Sequence, residues 1–172
     1  MAELLIPNLM KVGTPRKMKP EADLITIWNT PYPVLGKYKA LCNESNLKIF
    51  AGGTIEKQGP NYVPGFITSG YRDEIIEENE SSPHSFAIAL DIAIGSDIRC
   101  LEVAKKAERI YARVGLYPGR GFIHVDEAPD SWIEHYKKKR YWVKVGSIYY
   151  SYNKFEEATD RFYKAIRKEG KQ

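Results

Sequence analysis

Residues 86–94, Phe-Ala-Ile-Ala-Leu-Asp-Ile-Ala-Ile, carry the clearest pattern in the chain. Side chains alternate across a strand, so Ile88, Leu90, Ile92 and Ile94 share one face and Ala87, Ala89, Asp91 and Ala93 the other. The first face is a core face. The second is a floor of small side chains with one carboxylate on it. That carboxylate needs a partner, because an isolated buried charge is very costly. Phe122-Ile-His-Val-Asp126 reads as another short strand, with Phe122, His124 and Asp126 on one face and Ile123 and Val125 on the other.

Helical spacing recurs elsewhere. Val34, Leu35, Tyr38 and Leu41 predict a helix from Pro33 to about Ser45, with the proline tolerated in the first turn. Ser96 or Asp97 caps a second helix whose stripe is Leu101, Ala104, Ala107, Tyr111 and Val114, ended by Gly115. Lys154 to Lys168 reads as an amphipathic helix with Phe155, Ala158, Phe162 and Ile166 inward. Short strands are expected at 47–50 and from Gly65 to Gly70, a short helix from Arg72 to Glu78, and a strand or hairpin at 141–150. Gly52, Gly53, Gly59, Pro60 and Pro64 mark a long loop. The expected class is α+β: a small, mainly antiparallel sheet with helices on one side. Residues 1–30 form an irregular lead-in and 31–140 the main domain. Residues 141–172 are an appendage or part of the same unit.

Composition narrows the function. No apolar run approaches the roughly 20 residues of a bilayer span, so membrane insertion is not expected. Glu3 stands where a signal peptide carries positive charge, and the expectation is a chain made in the cytoplasm. The net charge of +4 suits an anionic polymer such as cell wall or nucleic acid. The Lys-Lys-Lys-Arg run at 137–140 reads equally well as a solvated face, and no nucleic-acid motif is present. Cys42 and Cys100 read as buried free thiols, since no CxxC pair exists.

Asp91 on one strand, His124 and Asp126 on another, and His84 in the loop before the first are all capable of holding a metal. Two imidazoles and a carboxylate supply the three protein ligands of a catalytic zinc site with one open position. The alternative is a set of buried histidines that only hydrogen-bond. His135, in a surface-type helix, is not one of these candidates.

These residues also carry a resemblance. Ser69-Gly-Tyr-Arg72, Ser82-Pro-His84, Asp91, His124-Val-Asp126 and Trp132 follow one another in order. The chain here resembles the zinc D-Ala-D-Ala carboxypeptidase family of peptidoglycan peptidases, which includes phage endolysin members and the Hedgehog-type fold. The resemblance spans about residues 30 to 135. It implies one zinc ion per chain on His84, Asp91 and His124. It implies Arg72 as the group that binds the substrate carboxylate or polarises the scissile carbonyl, and Ser82 as a substrate contact. Arg72 is otherwise a surface ion-pairing residue, and Ser82 a turn hydroxyl. The implied substrate is a peptidoglycan stem peptide or another D-amino-acid peptide, met by a monomer on the cell wall after release.

Two departures matter. Ala87 stands where the family commonly has glycine. Gly121 stands where several members carry an acid, and Phe122 where some carry another histidine. Asp126 is then the nearest acid for general-base work, or else an acceptor that orients a ligand imidazole; Glu127 and Glu80 are further candidates. The rival function is a non-catalytic zinc-containing module that binds peptide or wall. The basic C-terminal helix either holds the anionic wall or simply packs on the domain.

Overall fold

The computed structural model describes residues 33–47, 65, 67–69, 81–86 and 88–169. In chain order its elements are helix α1 (Pro33–Glu44), strand β1 (Ile67–Ser69), a 3-10 turn (Pro83–Phe86), β2 (Ala89–Ala93), α2 (Asp97–Ile110), β3 (Arg113–Leu116), β4 (Phe122–Asp126), α3 (Asp130–His135), β5 (Tyr141–Val145), β6 (Ile148–Tyr152) and α4 (Phe155–Glu169). The lead-in over 1–30, most of the 47–50 strand, the glycine loop, the 72–78 helix with Arg72, Glu80 and Ala87 all lie outside the described residues.

The class is α+β. The described strands form one open sheet in the order β1-β2-β4-β3-β5-β6. All neighbours are antiparallel except β3 and β5. The parallel step joins the C-terminal hairpin to the sheet, and Gly146, at φ 58°, makes its turn. None of the described helices is long and apolar enough to cross a membrane.

Alternation sorts the strands into two faces. Leu90, Ile92, Val114, Leu116, Ile123, Val125 and Val143 enter the main core with Tyr38 and Leu41 of α1, Leu101 and Ala104 of α2, and Ala158 and Phe162 of α4. Fully burying each such aliphatic chain contributes about 1.5–3 kcal/mol. Ser96 caps α2 by accepting from the Arg99 N–H. Arg99 and Lys106 of α2 donate to the Ser45 and Glu44 carbonyls at the end of α1, where such groups lack partners within the helix. Cys42 and Cys100 are free and buried, and burial pushes their thiols up to about 11 and about 12.

Three expectations need correction. Helix α2 stops at Ile110, and Val114 lies in β3, not on a helical stripe. Every residue of Arg113-Val-Gly-Leu is buried, so this strand shows no polar–apolar alternation to betray its period. Gly115 is accordingly a strand residue and not the end of a helix. Ile88 precedes β2 and packs with Phe86, Ala128 and Trp132 in a second cluster, not with Leu90. The helices are not all on one side: α1, α2 and α4 cover the core face, while Trp132 of α3 packs against Arg113 at the other.

Gly115 has a packing reason. A Cβ there would lie 2.3 Å from the Trp142 indole. Gly115→Ala is therefore expected to push Trp142 off the sheet and cost about 1–3 kcal/mol as an overpacked site. Denaturant unfolding followed by tryptophan fluorescence checks this.

Candidate metal centre

Strand register assembles the site. Asp91 on β2 pairs with His124 on β4, His124 with Gly115 on β3, and Gly115 with Trp142 on β5. In the row two residues along, Asp126 pairs with Ala89 and Arg113. Both rows face away from the main core. His84 arrives from the 3-10 turn, where the Ser82 carbonyl accepts from both the N–H and the hydroxyl of Ser85. The turn is thereby closed, and His84 is held with a side chain only 3% exposed.

Donor atoms of three residues converge. His84 Nε2 lies 3.2 Å from His124 Nδ1. Asp91 presents Oδ1 at 3.0 Å from His124 Nδ1 and Oδ2 at 3.4 Å from His84 Nε2. The three are close enough to hold one metal ion. Burial works against ionising Asp91, but the two imidazoles hold its carboxyl far below the usual carboxylate range.

The other side of His124 is taken. Its Nε2 lies 3.0 Å from Asp126 Oδ2. Asp126 is fully buried, and its Oδ1 accepts from the Ala128 N–H at 3.1 Å. Arg113 Nη1 stands 3.3 Å from Asp126 Oδ2 as an ion pair, while Arg113 Nε donates to the Lys139 carbonyl at 3.0 Å. The guanidinium carbon sits 5.1 Å from the Trp132 ring centre and 4.6 Å from that of Trp142. Burial opposes the charge on Asp126; Arg113, then His124, outweighs it and lowers the pKa. Burial likewise disfavours a protonated His124, but Asp126 and Asp91 raise its pKa.

This pattern tests the fit of a metal. When the Nε2–H of His124 is donated to Asp126, Nδ1 can offer a lone pair to a metal. In that tautomer Nδ1 faces a carboxylate oxygen and a second imidazole nitrogen, and a cation or a proton must lie among them. Two donors on one tetrahedral zinc would stand about 3.3 Å apart; His84 Nε2 and His124 Nδ1 are 3.2 Å apart, and each has one of the two Asp91 oxygens at a similar distance. Two imidazole nitrogens and a carboxylate this close fit a single metal ion.

A cleft of about 510 Å³ opens over these atoms. Ser82, His84, Asp91 and His124 line it. Asp126 does not; it lies behind His124, in the orienting position and away from the cleft. Glu127 points to the opposite face, where it accepts from Lys37 at 2.8 Å and from the Ala112 N–H. His135 is exposed on α3. Gly121 explains why no acid stands there: its φ is +71°, and a Cβ would sit 3.0 Å from the Gly95 carbonyl oxygen. A side chain in that left-handed conformation is strained.

Arg113 and Trp142 were not foreseen in the sequence. The one available signal was a lone arginine amid residues that all read as buried. No family model, curated protein or solved structure matches the chain.

Proposed function

We propose that the chain is a zinc peptidase that hydrolyses peptidoglycan stem peptides at a bond involving a D-residue, on a Hedgehog-type peptidase fold. The observation that carries this is the convergence of His84 Nε2, His124 Nδ1 and Asp91 at the floor of an open cleft. Bound there, zinc supplies Lewis acidity, polarising a carbonyl and acidifying water. The protein's own share is positional. Asp126 fixes the tautomer and ring orientation of His124, as carboxylates behind ligand histidines do. Arg113 keeps Asp126 ionised. Ser82 meets the peptide at the cleft wall beside His84. By the resemblance, Arg72 completes the site by holding the carbonyl or a carboxylate through its fork of donors.

The test is direct. Purified sacculi or synthetic stem peptides, with products read by mass spectrometry, are expected to show one defined cut. A chelator abolishes it and zinc restores it. One observation favours a second reading, a peptide-binding module: among the described cleft residues, Asp91 is the only carboxylate. Intact peptide in the presence of fully metallated protein, with measurable binding, would establish that reading instead.

A further inference from the structure

The wall of the cleft away from His84 is basic. Lys138, Lys139 and Lys144 line it, and among the described lining residues the one carboxylate is that of Asp91, which both imidazoles already engage. Among the described residues, none of these three ammonium groups has a carboxylate partner. Surface lysines commonly find acids or open water; here three line one cleft.

The wall is also fixed in place. Helix α3 ends with Lys137 in the left-handed conformation at φ 51°. Its N–H donates to the Glu134 carbonyl, and the Lys138 N–H to that of Ile133. The Lys139 carbonyl takes the Arg113 Nε–H. Lys144 lies on the same face of β5 as Trp142, with its ammonium 4.8 Å from the Tyr149 ring centre. Burial, then Arg113 nearby, lowers the pKa of Lys138.

From these placements, and resting on the peptidase reading, we propose that Lys138, Lys139 and Lys144 form an anion subsite selecting peptides with a free carboxylate near the scissile bond. Strand β5 lies two strand spacings from β4, about 10 Å. An extended peptide advances about 3.3 Å per residue, so the carboxylate belongs within about three residues of the bond over the metal ligands. The anion is a side-chain or terminal carboxylate of the peptide, and no covalent step is involved.

The experiment is calorimetric binding at low salt with metal-loaded protein and three synthetic pentapeptides. These are L-Ala-D-Glu-L-Lys-D-Ala-D-Ala, the same peptide with D-Gln for D-Glu, and the same peptide with an amidated C-terminus. One carboxamide peptide is expected to bind about tenfold more weakly than the acid, since each exposed pair contributes a modest factor. Added salt shrinks the difference. In K138Q/K139Q/K144Q the preference for acid over amide is expected to fall severalfold, to what Arg72 alone provides, while zinc content is unchanged. Equal binding of all three peptides by the wild type, or an acid preference as large in the triple variant as in the wild type, overturns the subsite. Cleavage is scored separately by mass spectrometry. Cleavage without acid preference removes the subsite alone. Acid-selective binding without cleavage removes the peptidase reading alone, and absence of any binding overturns both.

Discussion

His84→Ala is expected to weaken zinc binding about a thousandfold and to leave the fold in place. Structural zinc sites are worth about 10–16 kcal/mol in all. One of three protein ligands accounts for roughly 4 kcal/mol of that, or about three powers of ten in affinity. The fold survives because His84 sits on a short turn outside the sheet, whose closure depends on Ser82 and Ser85. Competition against a fluorescent zinc chelator measures the affinity, and circular dichroism the fold. Equal affinity in the variant would remove His84 from the ligand set.

Arg113→Met is expected to destabilise the protein by about 3–5 kcal/mol at neutral pH, the usual cost of stranding one partner of a buried ion pair. Arg113 is 5% exposed and Asp126 not at all, so the stranded carboxylate stays poorly solvated. The pH dependence has a definite sign. The folded pKa of Asp126 is lowered, so its contribution is present above the unfolded value of about 3.9 and is lost as pH falls through the folded value. In Arg113→Met that contribution is gone at neutral pH. The gap between variant and wild type therefore narrows as acid protonates Asp126. Adding Asp126→Asn to Arg113→Met removes the stranded charge and is expected to recover part of the loss. Urea unfolding at about pH 7 and about pH 4 reads each of these. Zinc affinity reads the other role of the pair: Asp126→Asn alone is expected to lower it about 10–100-fold, as removal of an orienting carboxylate does.

Much of the site was legible because the strands that carry it announce themselves. Asp91 interrupts a run of apolar and small residues in strict alternation, and His124 and Asp126 share a parity in a five-residue strand. Their pairing across the sheet follows from two adjacent antiparallel strands. Helices α1 and α4 were equally plain, since each carries an apolar stripe at helical spacing. Strand β3 was not. Val114 continued the spacing of Ala107 and Tyr111 by accident, and a strand buried on both faces has no polar side to mark it. Losing β3 to the helix hid Arg113, and with it the reason for Asp126 to be ionised in a dry place. The stacking of Trp142 over Gly115 was hidden too, because it depends on a parallel strand pair formed across a long stretch of chain. Sequence parity leaves the two roles of Asp126 equal. Only the arrangement of Arg113, Ala128 and His124 around it separates a buried orienting group from one facing the cleft.

A crystal structure of the zinc-loaded protein, with anomalous diffraction at the zinc absorption edge, is the most direct measurement. One zinc per chain is expected, bound by His84 Nε2, His124 Nδ1 and an Asp91 oxygen at about 2.0–2.2 Å, with His124 Nε2 still on Asp126. An anomalous peak elsewhere in the molecule, or none between these three groups at saturating zinc, would contradict it.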